Sequence, residues 1–98
     1  IWHDLVTYAV NNGYQGIENL ALIPGTVGAA PMQNIGAYGV EICDVLTSVH
    51  AIDLFDGKSK IFNNKDCKFG YRESIFKNFE KNKYFIYSIN ILLRKITT

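Results

Sequence analysis

Two features of this chain have the residue types and spacing to do chemistry. Asn19 to Val40 reads NLALIPGTVGAAPMQNIGAYGV, with four glycines and no charged side chain. Pro24, Pro31 and the glycines would break a membrane-spanning helix, and their density argues against a sheet interior. What remains is a backbone folded into successive tight turns, with side chains small enough for a ligand to lie directly on it. Such loops present main-chain N–H groups to phosphates or to the polar edge of a flat cofactor. The plain alternative is a pair of buried turns needed only for close packing, because isolated glycine patterns have many false positives. The second feature is Arg72, in Phe69-Gly70-Tyr71-Arg72-Glu73-Ser74. The chain has eight lysines and only two arginines, Arg72 and Arg94. An arginine in such a chain marks a place where the planar guanidinium fork is needed. Its plain alternative is a surface ion pair with Glu73 or Glu80, normally worth under about 1 kcal/mol.

Other polar residues offer less. His3 falls on the polar side of the first predicted helix, and His50 lies mid-strand with no second ligand at metal spacing. Ser74 and Ser88 have no base nearby in sequence, so nucleophilic catalysis is not indicated. Cys43 and Cys67 fit neither a CxxC motif nor a disulfide framework, and read as buried or idle thiols in a reducing cytosol.

The elements that must position these residues follow from periodicity. Trp2, Leu5, Val6 and Ala9 recur at helical spacing, and Asn11-Asn12-Gly13 supplies a stop, which predicts an amphipathic helix over 2–12. A short apolar run, 17–23, leads into Pro24-Gly25. Thr26 can cap a helical turn through Ala30, its N-terminus facing whatever rests on the glycine segment, with Pro31 ending it. Residues 45–54 read as a strand, Phe55-Asp56-Gly57-Lys58 as a hairpin turn, and Lys60-Ile61-Phe62 as the returning strand. Asn64 to Cys67 reads as one capped helical turn. Residues 84–93, rich in Tyr, Phe and Ile, form the strongest strand. Between them, 75–83 reads as a polar, Lys-rich solvated loop. The class is α+β, with functional loops hung on a sheet.

At 98 residues the chain makes one small domain. It opens at Ile1 without an initiator Met and is expected to be an internal piece of a longer protein. Hydrophobic residues at 48% and charged ones at 19% are ordinary for a globular chain. A net charge of +1 gives no reason to expect nucleic acid or an anionic membrane as partner. No signal peptide or membrane span is read. The bias to Lys, Ile and Asn points to an AT-rich bacterial genome.

The segment ENLALIPGTVGAAPMQNIGAYGVE, followed by FGYRESIFK at Phe69 to Lys77, resembles the UDP-N-acetylenolpyruvoylglucosamine reductase family. These flavoproteins make UDP-N-acetylmuramate for bacterial cell walls. QNIGAYG followed by GYRES is similar to the first of the family's two structural types. The resemblance implies a PCMH-type (vanillyl-alcohol-oxidase-like) FAD-binding domain, a mixed sheet with short helices, of which residues 1–98 are the later part. The family's upstream phosphate-binding glycine segment, its later proton-donor serine and its second acidic catalytic residue are missing here. The fragment alone is therefore expected not to turn over.

By this resemblance Ile23, Pro24, Gly25, Gly28, Ala29, Met32, Gln33, Gly36 and Ile86 form the surface on which FAD rests. Main-chain N–H groups at Gly28 and Ala29 then face phosphate or the isoalloxazine edge. Gln33 and Asn34 offer donors and acceptors to its pyrimidine-like rim. Some family members carry hydroxyls at positions 29 and 30, which Ala29 and Ala30 lack. The resemblance places the family's catalytic arginine at Arg72. Tyr38 and Tyr71 are the candidate substrate contacts, although tyrosines in small domains are more often core residues with a wet edge. Implied cofactors are FAD and NADPH, the substrate is UDP-N-acetylglucosamine enolpyruvate, and the location is cytoplasmic. In the implied reaction NADPH reduces the flavin and leaves, and the reduced flavin then delivers hydride to the enolpyruvyl group. Two alternatives stand beside this: another flavin oxidoreductase of the same fold, which would lack the GYRES arginine, and a non-catalytic remnant.

Overall fold

The computed structural model describes residues 1–78 and 83–95. The first helix, α1, covers Trp2–Asn11. Its stop is the predicted one: the Asn12 amide donates to the Tyr8 carbonyl at 2.8 Å and Gly13 follows at φ 78°. The apolar face of α1 buries Trp2, Val6 and Ala9. Trp2 also donates its indole N–H to the Leu20 carbonyl at 3.0 Å, which satisfies the one polar atom that its burial would otherwise strand. The predicted apolar run contains a short 3₁₀ turn, Glu18–Leu20. His3 is less idle than expected, since its Nδ1 accepts the Leu22 N–H at 3.1 Å and pins this run to α1.

The main sheet has the order β5-β4-β6, from β4 (Leu46–Asp53), β5 (Ser59–Asn63) and β6 (Tyr84–Ile91). β4 and β5 are joined by the predicted hairpin. The Asp53 carboxylate accepts the N–H of Phe55 at 2.8 Å and of Asp56 at 3.4 Å, the local bonding that makes Asp a turn former. β6 returns from far along the chain to pair the other edge of β4, from Leu46↔Ile91 to Asp53↔Tyr84. Two smaller pairs complete the strands: β1 (Tyr14–Gln15) with β7 (Arg94–Lys95), and β2 (Gly36–Ala37) with β3 (Val40–Glu41). All of these described pairs are antiparallel. The α+β class and short helices are as expected.

One expectation fails in part. Residues 75–78 are not solvated loop: Ile75–Asn78 forms a short helix, α2, and both Ile75 and Phe76 are buried. Phe76 packs edge-on to Phe62 with ring centroids 5.0 Å apart, and Phe62 meets Tyr84 in the same way. The aromatic gain from closing this end of the sheet outweighs the polar neighbours that made the segment read as loop. Of the rest of that predicted loop, Lys83 is a turn residue and 79–82 lie outside the described residues. The molecule is elongated, 47 × 24 × 23 Å, and the glycine segment borders Trp2 of α1 on one side and β6 on the other.

Candidate flavin and anion site

The glycine segment is a series of turns, as its composition demands. The Thr26 hydroxyl accepts the Ala29 N–H at 3.1 Å, as the predicted cap. The chain does not end its turns at Pro31. Carbonyls of Val27, Ala29, Pro31 and Ala30 accept the N–H groups of Ala30, Met32, Asn34 and Ile35 in turn. Pro31 sits buried within the series, where its missing N–H leaves no donor to satisfy. The main-chain N–H groups of Gly25, Thr26, Val27 and Gly28 make no hydrogen bond among the described residues. Of the two donors expected at Gly28 and Ala29, the first is available and the second is held by Thr26.

Clefts lie on both sides of this turn. One, of about 320 Å³, is lined by Ile23, Pro24, Gly25, Ala29 and Gln33 with Trp2 at its back. The other, of about 560 Å³, is lined by Gly28, Ala29, Met32 and Ile86 with aromatic residues of β6. The residues assigned to the cofactor surface thus divide between two faces of one turn. Gly28 is small for a reason visible here: a Cβ on it would lie 2.9 Å from the Ile86 carbonyl oxygen. The turn can seat against β6 only without a side chain at that position.

Gly36 stands apart from both clefts, and so does the amide of Asn34. Asn34 is 1% exposed and fully bonded. Its Nδ2 donates to Glu41 Oε2 at 3.0 Å and to the Gly70 carbonyl at 2.9 Å, and its Oδ1 accepts the Cys43 N–H at 3.0 Å. That amide is therefore committed within the protein and has nothing left for a flavin rim. The structure corrects the sequence reading here. Asn34 also adopts φ 45°, a left-handed conformation that asparagine tolerates better than other side chains.

These bonds tie three distant segments into one site. β2 and β3 form a tight hairpin across Tyr38 (φ 52°) and Gly39 (φ 77°), the primed geometry that matches strand twist. The hairpin brings Glu41 opposite Gly36. From the other direction, Gly70 and Glu73 exchange main-chain bonds at 3.0 and 3.1 Å, which closes a turn with Tyr71 and Arg72 at its tip. Arg72 stands at φ 53°, a strained position for a branchless but bulky side chain. Its Nη2 donates to the Gly36 carbonyl at 2.8 Å, and its Nη1 lies 3.5 Å from Glu41 Oε2. The ion-pair partner is thus Glu41, not the Glu73 of the plain alternative, and Glu80 lies outside the described residues. The guanidinium also stacks over Tyr71, its carbon 4.6 Å from the ring centre.

Tyr38, Val40, Glu41, Tyr71 and Arg72 line a cleft of about 260 Å³. Tyr38 is 90% and Tyr71 80% exposed, so the bland expectation of core tyrosines is wrong for both. Both rings stand at the tips of two tight turns, flanking the cleft. Ser74 is buried beneath, donating to the Met32 carbonyl at 2.7 Å, and so couples the arginine turn to the glycine segment. Burial pushes the nearby Cys43 thiol up, and the Asp44 and Glu41 carboxylates act in the same direction. Among the described residues no group of three or more His, Cys, Asp or Glu could hold a metal ion. His50 instead bonds to Asn90 at 3.0 Å and Ser48 at 3.4 Å on the sheet. Among the described residues no helix is long and apolar enough to cross a membrane.

Sequence reading missed Glu41 and the structural task of Asn34. The signal available was the Tyr38-Gly39 turn, whose two-residue length fixes which residues face each other.

Comparison with known proteins decides what kind of domain this is. The profile of the FAD binding domain family matches residues 1–62, which hold the whole glycine segment. The chain belongs to the FAD-binding domain family. Tyr71, Arg72 and Ile86 fall beyond the matched span of that family. The chain is also 53% identical over 95 residues to a UDP-N-acetylenolpyruvoylglucosamine reductase of Bdellovibrio bacteriovorus, covering 97% of this chain and 28% of the relative. To the reductase of the same name from Amoebophilus asiaticus it is 54% identical over 97 residues, covering 99% and 29%. Among solved structures, UDP-N-acetylenolpyruvylglucosamine reductase from Thermus caldophilus matches with a TM-score of 0.78 and 28% identity, covering 93% of this chain and 32% of that one. This FAD-binding domain chain therefore spans less than a third of the length of the relatives it matches.

Proposed function

We propose that the chain supplies the flavin-facing and anion-binding segment of an FAD-dependent, NADPH-using UDP-N-acetylenolpyruvoylglucosamine reductase. The full-length protein reduces UDP-N-acetylglucosamine enolpyruvate to UDP-N-acetylmuramate in the cytoplasm, in peptidoglycan precursor synthesis. The observation that carries this reading is the posture of Arg72. Its guanidinium is anchored on the Gly36 carbonyl and Glu41 and opens on a cleft between two exposed tyrosines.

Each part of the chain then has a task. FAD, when bound, supplies the hydride chemistry. The unbonded N–H groups from Gly25 to Gly28 suit its phosphates or ring edge. Ile23, Pro24, Ala29, Met32 and Ile86 line the flanking clefts and supply apolar contact area, and Gln33 adds an amide donor and acceptor there. Gly36 serves the cofactor surface through Arg72, by leaving room for the guanidinium. Arg72 presents a planar fork to the carboxylate of the enolpyruvyl group. Negative charge that develops beside that carboxylate during reduction is stabilised by a cation already in place. Tyr38 and Tyr71 cover the substrate from either side. NADPH as the reductant and the cytoplasmic location belong to this same reading, since the relatives are named as reductases.

The test is an assay of the purified full-length protein. It should carry FAD and oxidise NADPH beyond one equivalent per flavin only when the enolpyruvyl substrate is present. A protein without flavin, or NADPH oxidation equally fast without that substrate, would sink the reading.

A further inference from the structure

We infer that Glu41 is a positioning residue: it aims Arg72 into its cleft, and Asn34 in turn fixes Glu41. The inference rests on the reading of Arg72 as the anion-binding group. An arginine side chain is long, and holding it in one pose costs rotamer entropy. About a third of it faces water here, with its side chain 35% exposed. One hydrogen bond to the Gly36 carbonyl and a stack on the exposed Tyr71 ring leave the Nη1 edge of the guanidinium without an anchor of its own. A second anchor at Nη1 fixes the plane, and Glu41 Oε2 occupies that place at 3.5 Å.

Glu41 can anchor because its own carboxylate is held. The same Oε2 accepts the Asn34 amide at 3.0 Å, and that amide is buried and bonded on two further sides. The main chain of Glu41 is held too, its N–H donating to the Asp44 carboxylate at 2.9 Å. Gly36 makes the arrangement sterically possible. A Cβ there would lie 2.7 Å from Arg72 Nη1 and 2.9 Å from Glu41 Cγ, in the space the pair occupies. The order of support therefore runs from the buried amide to the carboxylate to the guanidinium, and only the last faces the cleft.

A carboxylate beside the arginine lowers its net attraction for an anion while improving its aim. Glu41→Gln keeps the shape and removes the charge, so it separates aim from attraction. In full-length, FAD-loaded protein, Glu41→Gln should slow single-turnover reoxidation of the flavin by the enolpyruvyl substrate about tenfold, a fraction of the loss from removing a preorganised donor outright. Reduction by NADPH, FAD content and melting temperature should stay near wild type. Affinity for UDP-N-acetylmuramate, measured by equilibrium titration, should be unchanged or tighter. In an Arg72→Lys background the same change should have little further effect, because residues acting through one another are not additive. Glu41→Asp, which keeps the charge but withdraws the carboxylate by one methylene, should slow reoxidation as well, and serves if Glu41→Gln loses flavin. Wild-type reoxidation in both Glu41 variants, with Arg72→Lys slow, overturns the role of Glu41. So does a Glu41→Gln effect that is fully additive with Arg72→Lys. Wild-type reoxidation in Arg72→Lys itself overturns instead the reading of Arg72 on which this rests.

Discussion

The Gly36 carbonyl accepts a hydrogen bond from Arg72 Nη2 at 2.8 Å, while a Cβ on Gly36 would lie 2.7 Å from Nη1 of the same side chain. One residue thus serves the arginine twice, by what it accepts and by what it lacks. Gly36 has no left-handed backbone to explain its identity. The requirement is space, and the Val40 carbonyl at 2.8 Å from the same Cβ position makes that space rigid.

Gly36→Ala should therefore expel the guanidinium and strain the β2–β3 hairpin. A destabilisation of about 1–3 kcal/mol is expected for overpacking of this kind. Thermal melts and stopped-flow reoxidation of the full-length variant check it. An unchanged melting temperature with wild-type reoxidation would show that the neighbours move aside at no cost.

Arg72→Lys keeps a positive charge and gives up the fork that grips Gly36, Glu41 and a carboxylate together. The variant should remain folded and retain FAD. Reduction of the flavin by NADPH should change little, and reoxidation by the enolpyruvyl substrate should slow by about a hundredfold or more. Measuring the two half-reactions separately decides between this and a surface role.

Asn34→Leu is the severe substitution predicted for structure. It removes three hydrogen bonds, leaves the Gly70 carbonyl and the Cys43 N–H to find new partners, and puts a branched side chain at φ 45°. A loss of about 2–4 kcal/mol is expected from unpaired buried groups and backbone strain combined. Urea unfolding monitored by tryptophan fluorescence measures it, because Trp2 is buried in the same core. A loss below about 1 kcal/mol would mean that water replaces the amide.

Burial, with a smaller contribution from the Asp66 carboxylate, pushes the Cys67 thiol up to about 12 from a usual value of 9.0. The folded protein therefore holds its proton at pH values where the unfolded chain releases it. The stabilisation is complete below pH 9 and is lost as pH rises from there toward 12. Cys67→Ala should make the fall in melting temperature between pH 8 and 10 shallower, at some cost in packing. A thiol reagent should react with Cys67 only on unfolding. Rapid labelling in the native state, or an unchanged pH slope in the variant, would refute the assignment.

Much of the frame was legible in the sequence because it is locally encoded. α1 announces itself by apolar spacing and Asn11-Asn12-Gly13, and the β4–β5 hairpin by Phe55-Asp56-Gly57-Lys58. Glycine and proline density foretold the turns from Gly25 to Ile35, and the single capping hydroxyl of Thr26 was legible too. What escaped was whatever depends on contact between distant segments. Ile75 and Phe76 look like the start of a polar loop until Phe62 and Tyr84 are seen to enclose Phe76. Asn34 reads as a ligand amide until Glu41, Cys43 and Gly70 surround it. Glu41 and Arg72 are 31 positions apart, and no periodicity links them.

The register of the central strand also sets the order in which the chain assembles. β4 meets β5 through a local turn, Ile52↔Ser59, whereas its other edge waits for β6, Asp53↔Tyr84. Closing the longer loop costs about 1 kcal/mol more in chain entropy, so the hairpin forms first and β6 is added afterwards. During synthesis β4 would then leave the ribosome with one edge unpaired until residue 91 has emerged, a window in which that edge is open to wrong partners. Pulsed hydrogen exchange during refolding reads the order directly: amides of β5 should gain protection before those of β6, and the reverse order would remove the proposed window.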